Sequence, residues 1–495
     1  MNRDGMLSRV VGRKTEWDLI IIGGGATGIG CTVDAASRGY EVLLLEQNDF
    51  GKGTSSRSTK LVHGGVRYLE QGNISLVMEA LKERGILKQN APHLVEELAF
   101  IVPNYEWWEM PFYGIGLKIY NLLSGKYGFG KSQILSKKET LERLPTIKEE
   151  GLRGGVIYFD GQFDDTRLLI NLAQTAVQQG ATLLNYSRVF QLTKDDDGLV
   201  DGVNFVDEET GQLHQTKAKG VINATGAFCD TVRKFSVEKA QPIITPSQGI
   251  HLVLDKSFLP TETAIMIPHT SDGRVLFAIP WHNHTLVGTT DTAIEKVDLE
   301  PKPFDEEIEF VLKTAGEYLH KSPTREDILS VFVGIRPLVK SGDAKSTSSL
   351  SRDHTIEIDN SGMLTITGGK WTTYRRMAED AVNQAAMLAK LPEKDCVTKD
   401  LKIYQTPKNK GELLHPDFEY TVEDVVCAVR EEMARNLEDV LARRLRILFL
   451  NAKVALEIAP KVAEIMAKEL GKNETWKAEQ VQTFHETVKN YLVAS

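Results

Sequence analysis

Cysteine is scarce in this 495-residue chain. The sequence contains four cysteines, Cys31, Cys229, Cys396 and Cys427, and no two of them form a C-x-x-C pair. Disulfide frameworks and structural zinc sites need several closely spaced cysteines. We therefore expect a protein of a reducing compartment with neither disulfides nor a metal site.

Long apolar runs and excess positive charge are also missing. No stretch reaches the roughly 18 apolar residues of a membrane-spanning helix, although contact with a membrane surface stays open. The first residues lack the apolar core of a signal peptide, so none is expected. The net charge of −9 and the isoelectric point near 5.8 argue against a general nucleic-acid partner.

The stretch at residues 17–46 carries the most informative pattern. An apolar run at 19–22 predicts a buried strand, and residues 23–28 read GGGATG, a G-x-G-x-x-G. A helical pattern follows, and a second apolar run at 42–45 ends in Glu46. Strand, glycine turn, helix, strand and acid together predict a dinucleotide-binding βαβ unit.

Each part of this unit has a physical role. Gly23 allows a tight turn, Gly25 lets the backbone approach a pyrophosphate, and Gly28 lets the helix pack on the strand. The helix N-terminus offers unpaired N–H groups to the phosphates. Glu46 can accept hydrogen bonds from the ribose hydroxyls and would repel a 2′-phosphate, which favours FAD or NAD over NADP.

A loop rich in glycine, hydroxyl and basic side chains follows at residues 51–72. It can wrap a pyrophosphate and a flavin, or it can be a polar surface loop. Its TSS triplet at 54–56 and its run KLVHGGVRYLE at 60–70, together with the glycine fingerprint, resemble the FAD-dependent glycerol-3-phosphate dehydrogenases. These enzymes belong to the D-amino-acid-oxidase-like flavoprotein superfamily, and the resemblance covers nearly the whole chain.

The resemblance implies an α/β fold with a Rossmann-type FAD-binding domain, an antiparallel-sheet substrate domain and a small all-helical C-terminal domain. The expected FAD-binding domain is discontinuous, at residues 15–100, 155–240 and 330–390. The expected substrate or cap domain comprises residues 101–154 and 241–329, and the helical domain residues 400–495. A length of 495 residues also favours two or three domains.

The resemblance implies FAD as the cofactor. Val189, which is alternatively a plain strand valine, and the ATG segment at 224–226 extend the glycine fingerprint. The residues expected to bind FAD are Gly23, Gly25, Ala26, Thr27, Gly28, Glu46, Thr54, Ser55, Ser56, Ser58, Thr59, Lys60, Leu61, His63, Gly64, Val189, Ala224, Thr225, Gly226, Gly368, Gly369, Lys370, Trp371, Thr372 and Thr373.

Three cations are candidates for a phosphate site. Taken singly, Arg336, Arg352 and Lys370 would each be interpreted as pairing with a surface carboxylate. They lie in G-x-R-P, S-R-D and G-G-K segments that resemble the family's, which implies binding of a dianionic phosphate ester. The residues expected to bind substrate are Arg67, Tyr68, His251, Arg336, Arg352 and Lys370.

The implied reaction oxidises sn-glycerol 3-phosphate to dihydroxyacetone phosphate by hydride transfer to FAD. The catalytic candidates are His251, Arg336, His63 and Lys370. His251 is the first choice of base and His63 the second, with Arg336 as electrostatic stabiliser. Spacing does not decide between them, and a lone strand histidine is more often structural.

A membrane quinone is the expected electron acceptor. Related oxygen-using oxidases carry a long insertion between the G-x-R-P and S-R segments, whereas fifteen residues separate Arg336 from Arg352 here. We expect a cytoplasmic homodimer, peripheral on the inner face of the cell membrane. The aromatic and basic segment at 105–131 could lie at a membrane interface or be ordinary core of the cap.

The basic run at residues 443–446 has two interpretations. It could touch anionic lipid, but we favour a solvated face paired with Glu431, Glu432 and Glu438. For the whole protein the alternatives are an FAD-dependent amine or amino-acid oxidase of the same superfamily, an NAD-dependent dehydrogenase, and a non-enzymatic flavin scaffold. The clustered cations favour a phosphate substrate.

Overall fold

A computed structural model describes residues 1–66, 69, 72–268, 270, 273–340 and 354–493. Its helices are α1 (Arg3–Val11), α2 (Ala26–Ser37), α3 (Ile74–Asn90), α4 (Glu109–Ser124), α5 (Lys137–Arg143), α6 (Asp165–Gln178), α7 (Cys229–Ser236), α8 (Asp305–Tyr318), α9 (Tyr374–Leu388), α10 (Val422–Glu431), α11 (Ile447–Leu450), α12 (Ala452–Leu470) and α13 (Glu474–Val488), with a π-helical turn at Asp439–Arg444.

The strands are β1 (Trp17–Ile22), β2 (Val42–Leu45), β3 (Leu61–Val62), β4 (Val95–Asn104), β5 (Gln133–Ser136), β6 (Gly154–Phe163), β7 (Thr182–Leu184), β8 (Ser187–Lys194), β9 (Val200–Asp207), β10 (Leu213–Asn223), β11 (Ile244–Asp255), β12 (Thr263–Ile267), β13 (Leu276–Trp281), β14 (His284–Gly288), β15 (Thr292–Ala293), β16 (Ile328–Val339), β17 (His354–Ile358) and β18 (Leu364–Gly368).

The first sheet contains five neighbouring parallel strands in the order β18-β10-β1-β2-β7. Strand β17 pairs antiparallel with β18 at one edge, and β8 and β9 extend β10 as an antiparallel ribbon. The apolar side chains of β1 and β2 are buried, and α2 packs against both α6 and α9. Burial on both faces explains why these strands read as continuous apolar runs.

The order of these strands creates a crevice. From β1 the chain proceeds to β2 and β7 on one side of the sheet, and it later returns to β10 and β18 on the other. Ligands of such sheets bind outside the carboxyl ends of the strands where the order reverses. Here that point lies between the ends of β1 and β10, at Ile22 and Asn223.

The second sheet is mixed and mostly antiparallel, in the order β15-β11-β14-β13-β12-β4-β6-β3, with β16 beside β11 and β5 beside β6. Strands β11 and β16 are each twelve residues long and pair antiparallel, with Ser247 opposite Arg336. This pairing brings His251 and Arg336 onto adjacent strands, although 85 residues of sequence separate them.

Helices α10 to α13 form the C-terminal part of the chain. Helix α10 begins with a capping box in which the Thr421 and Asp424 side chains each bond the other residue's backbone, as the sequence pattern predicts. The predicted fold class is confirmed: a Rossmann-type sheet, an antiparallel-rich sheet and a helical C-terminal part.

Two local predictions were wrong. The sequence pattern at residues 181–190 predicts a single strand, but this stretch is divided into β7 and β8 because Tyr186 adopts a positive φ of 52°. The basic run at 443–446 is not a solvated face, because Arg443, Arg444 and Arg446 are each at most 7% exposed. Two predicted acidic partners are present, because Arg443 pairs with Glu438 and Arg444 with Glu432. Arg443 and Arg444 also pair with Asp49, and Arg446 pairs with Asp164, which the sequence did not predict.

Within the part of the chain that the structure describes, no helix combines the length and apolar character needed to cross a bilayer. The same residues contain no cluster of three or more histidine, cysteine or acidic side chains arranged to hold a metal ion.

Candidate active site

The glycine turn after β1 is shaped by close backbone contacts. Gly23 has a φ of +110°, and a Cβ there would lie 2.7 Å from the carbonyl oxygen of Ala224. A Cβ on Gly28 would lie 1.9 Å from the carbonyl oxygen of Gly23. Both positions need glycine, and they bring the start of α2 against the end of β10.

The N-terminus of α2 points into the crevice. Gly25 is the N-cap and offers no side-chain cap, while the Ala26 N–H donates to Oγ of Ser55 at 2.9 Å. Oγ of Ser55 would lie 3.1 Å from a Cβ on Gly25. This hydroxyl-lined helix end, with its positive partial charge, fits a pyrophosphate.

Glu46 follows β2 at the rim of the crevice. Its two carboxylate oxygens accept hydrogen bonds from the N–H groups of Gly24 at 2.6 Å and Asn48 at 2.8 Å. Each oxygen keeps a second lone pair, so both can also accept from a ribose. Burial raises the pKa of the Glu46 carboxyl.

Hydrogen bonds join segments that are far apart in the sequence. The Thr54 hydroxyl donates to the Ile335 carbonyl at 2.5 Å, and Nε1 of Trp371 donates to the Ser55 carbonyl at 2.9 Å. The N–H of His63 donates to the Thr372 hydroxyl at 3.2 Å. The loop after β2 is thereby fixed against β16 and the turn before α9.

These segments enclose a cavity of about 1020 Å³, a volume at the top of the usual range for small-molecule sites. All of the predicted cofactor residues line this cavity except Gly28, Ser56, Lys60, Gly64 and Thr373. The cavity runs from Glu46 and the glycine turn to His251 and Arg336. An extended dinucleotide fits this shape and this lining.

The residues outside the lining have other contacts. Lys60 is fully buried, and its Nζ lies 2.7 Å from the carboxylate of Asp165, so its side chain cannot reach a cofactor as we expected. The Gly64 N–H donates to the Tyr120 hydroxyl at 2.8 Å. Ser56 and Thr373 donate to the carbonyls of Gly53 and Lys370, and Gly28 packs closely against the carbonyl of Gly23.

Arg336 is held at the far end of the cavity. Its Nη2 donates to the Thr290 carbonyl at 2.9 Å and to the Thr289 hydroxyl at 3.1 Å, and its Nη1 lies 3.5 Å from Asp291. A Cβ on Gly249 would come within 2.5 Å of Nη2. A quarter of the Arg336 side chain stays exposed, facing the cavity that it lines.

Further basic side chains line the same cavity, namely Lys52, Arg57, Arg188, Arg274 and Lys370. Lys370 is one of the predicted residues, and Arg274 on the turn before β13 was missed by the sequence analysis. Nothing in its local sequence distinguishes Arg274 from a surface hairpin arginine. The predicted Arg67, Tyr68 and Arg352 lie outside the described residues.

His251 lies on β11 with 3% of its surface exposed. Its Nε2 is 2.9 Å from the Thr59 hydroxyl, and its ring stacks on Phe332 with centroids 5.0 Å apart. Burial, with the charges of Lys60 and Arg336, holds the pKa of His251 well below its usual value. The imidazole is therefore neutral near pH 7. His63 also lines the cavity.

One wall of the cavity is apolar. Phe100 and Tyr158 stack with centroids 5.2 Å apart, and the Tyr158 hydroxyl contacts Sδ of Met266 at 3.1 Å. Leu76 of α3 and Phe277 of β13 complete this wall. The cavity thus combines the glycine turn at the start of α2, several basic side chains, two histidines and an apolar side.

Comparisons with known proteins agree with this geometry. The family model described as "FAD dependent oxidoreductase" matches residues 18–375, and the one described as "C-terminal domain of alpha-glycerophosphate oxidase" matches residues 364–480. The mitochondrial glycerol-3-phosphate dehydrogenase of Rattus norvegicus is 38% identical over 529 residues, covering 95% of this chain and 72% of the rat protein. The enzyme of that name from Arabidopsis thaliana is 37% identical over 542 residues, covering 96% and 86%.

Solved structures give the same result. The glycerol-3-phosphate dehydrogenase of Bacillus halodurans complexed with FAD has a TM-score of 0.79 and 29% identity, covering 99% of this chain and 97% of that one. The FAD-bound L-α-glycerophosphate oxidase of Mycoplasma pneumoniae shares the fold, with a TM-score of 0.60 and 20% identity over 80% of this chain and 100% of its own. The cofactor is FAD, and the chain belongs to the family of FAD-dependent glycerol-3-phosphate dehydrogenases.

Proposed function

We propose that this protein oxidises sn-glycerol 3-phosphate at C2 to dihydroxyacetone phosphate and passes the electrons to a membrane quinone. The observation that carries the substrate assignment is the set of basic side chains that line the FAD cavity. Arg336, Lys370 and Arg274 belong to this set. A dianionic phosphate ester matches guanidinium forks and an ammonium, whereas neutral glycerol brings no negative charge to these groups.

The chain's own residues supply the proton chemistry. Bound FAD provides the ring that accepts a hydride from C2. The C2 hydroxyl must lose its proton as C2 becomes a carbonyl carbon, and His251 is the proposed acceptor, with His63 as the alternative. The neighbouring Arg336 stabilises negative charge that develops on the C2 oxygen.

Flavin bleaching under anaerobic conditions tests this substrate assignment. We expect sn-glycerol 3-phosphate to bleach the flavin, and glycerol and D-amino acids to leave it oxidised. Bleaching by an amino acid would favour the oxidase alternative.

The proposed quinone acceptor is supported by an exposed apolar face on α4. Trp107 and Trp108 precede the helix, and on it Ile115 and Leu122 are 62% and 81% exposed. The same helix buries Tyr120 and Leu117 on its inner side. The cap-core interpretation of residues 105–131 therefore accounts for one side of this helix only, and an outer side of this composition suits a lipid interface.

The apolar wall of the cavity lies close to this face. Leu76 lines the cavity, while Ile74 and Met78 on the same helix α3 are about half exposed, and α3 packs against α4. An apolar quinone ring could approach the flavin along this side. A protein docked there would be peripheral on the inner face of the cell membrane.

Reoxidation kinetics test the acceptor. After anaerobic reduction by glycerol 3-phosphate, the flavin should be reoxidised faster by a soluble quinone analogue than by an equal concentration of oxygen. Faster reoxidation by oxygen would make the protein an oxidase and would leave the substrate assignment intact.

A further inference from the structure

A fully buried ion pair lies directly behind the cavity. Nζ of Lys60 is 2.7 and 2.9 Å from the two carboxylate oxygens of Asp165, and it also donates to the Ser56 carbonyl at 2.7 Å. Both side chains are 0% exposed. A buried ion pair gives little net stability on its own. Its charges can still change the pKa of a neighbouring side chain.

The neighbour is His251. Thr59, next to Lys60, places its hydroxyl 2.9 Å from Nε2 of His251. The ring of Phe332 stacks on the imidazole at 5.0 Å, and Nζ of Lys60 lies 5.0 Å from the centroid of the same ring. The ammonium and the imidazole therefore share one aromatic side chain and adjacent backbone.

We propose that the Lys60–Asp165 pair is a positioning and electrostatic element that keeps the imidazole of His251 neutral, so that Nε2 can take the proton of the substrate's C2 hydroxyl. This inference rests on the proposed function. Nδ1 of His251 is enclosed and makes no hydrogen bond within the described residues, which leaves Nε2, beside the cavity-lining Thr59, for proton exchange.

The charges around His251 favour this role. Lys60 faces it from the loop after β2 and Arg336 from β16, and both lower its pKa in addition to burial. Asp165 neutralises part of the Lys60 charge, Asp291 lies 3.5 Å from Arg336, and Asp164 and Arg446 act on Lys60 from a greater distance. Both charges that lower the pKa of His251 are thus positive.

In the proposed oxidation the C2–H bond breaks, and bound FAD would take up the hydride with both electrons of that bond. The C2 hydroxyl proton goes to Nε2 of His251, and the C2–O bond becomes a carbonyl. Nε2 can accept this proton only when His251 is neutral beforehand, and a cation beside the imidazole favours that form.

The test compares Lys60→Met with Lys60→Arg. We would measure the rate of anaerobic flavin reduction at saturating glycerol 3-phosphate as a function of pH. Loss of the cation should move the acidic limb of the profile to higher pH by about one pH unit, and Lys60→Arg should retain the wild-type profile. A purely structural role would lower the amount of active enzyme without moving the limb.

A second readout does not depend on turnover. In protein labelled with ¹³C at histidine Cε1, the signal absent from His251→Gln identifies His251. The pH at which this signal titrates should be higher in Lys60→Met than in the wild type, and Lys60→Arg should leave it unchanged. If Lys60→Met fails to fold, Lys60→Met/Asp165→Asn can be used instead. It removes both charges and should also raise the pH at which the His251 signal titrates.

The outcomes are distinguishable. A wild type that glycerol 3-phosphate does not bleach would overturn the proposed function. The other result concerns Lys60–Asp165 alone. If glycerol 3-phosphate bleaches the wild-type flavin, but the charge-removing variants keep the wild-type pH profile of flavin reduction and the wild-type His251 signal, the proposed role of this pair is wrong.

Discussion

Asp49 and Arg444 form a buried ion pair that ties the nucleotide-binding sheet to the C-terminal helices. Nη2 of Arg444 lies 2.9 Å from one carboxylate oxygen, and Nη1 contacts the other. Arg443 donates to the same carboxylate. Burial opposes ionisation of Asp49, but the two guanidiniums outweigh it and hold the pKa below its ordinary value. Asp49 lies three residues beyond Glu46, which lines the cavity.

Asp49→Asn should destabilise the folded protein strongly, because it leaves two buried guanidiniums without their shared carboxylate. We expect a loss of about 3 to 5 kcal/mol in the free energy of unfolding, measured by urea denaturation of the FAD-bound protein. Glu486→Gln is the control. It removes an ion pair whose two side chains are each 65% exposed, and it should change this free energy by less than about 1 kcal/mol. Equal effects of the two substitutions would contradict the assignment.

Gly28→Ala should reduce FAD binding, because its Cβ would collide with the Gly23 carbonyl and displace the phosphate-binding turn. Gly116→Ala, also within a helix, has nothing within 4 Å of the added Cβ and serves as the control. The measurement is the ratio of flavin to protein absorbance after gel filtration. A full flavin content in Gly28→Ala would show that this contact is not needed.

The βαβ unit could be predicted because its signals are local. Apolar runs, glycines and Glu46 follow one another within residues 17–46. The sequence did not predict that Arg274 lines the cavity, nor which acidic residues pair with residues 443–446. Both depend on contacts between segments that are distant in the sequence. Lys60 looked like part of a cofactor loop, but its partner Asp165 is 105 residues away. The domain boundaries, the homodimer and the site roles remain predictions.

Arg336→Met should weaken transition-state binding of the phosphorylated substrate. Loss of a hydrogen-bonded charge of this kind costs about 2 kcal/mol or more, which is roughly 30-fold in kcat/KM. Arg325→Met is the control, since Arg325 pairs with Asp305 and Glu309 at the surface. Both variants should keep the wild-type flavin spectrum. A wild-type kcat/KM in Arg336→Met would show that Arg336 does not bind the substrate.

Ile115→Asp/Leu122→Asp should weaken binding to vesicles of phosphatidylethanolamine and phosphatidylglycerol. Both side chains are already exposed on α4, so folding and flavin reduction in solution should not change. We expect at least about a tenfold loss in co-sedimentation, because each substitution replaces apolar area with a charge. Leu213→Asp, 70% exposed on β10, is the control. Equal binding of both variants would exclude this face as the lipid contact.

Stopped-flow reduction with sn-glycerol 3-phosphate deuterated at C2 tests the central assignment most directly. If C2 delivers its hydride to FAD beside Arg336 and His251, deuterium at C2 should slow anaerobic flavin bleaching several-fold, whereas deuterium at C1 should leave the rate unchanged. Absence of bleaching, or bleaching at equal rates with both labelled substrates, would contradict hydride transfer from C2 in this cavity.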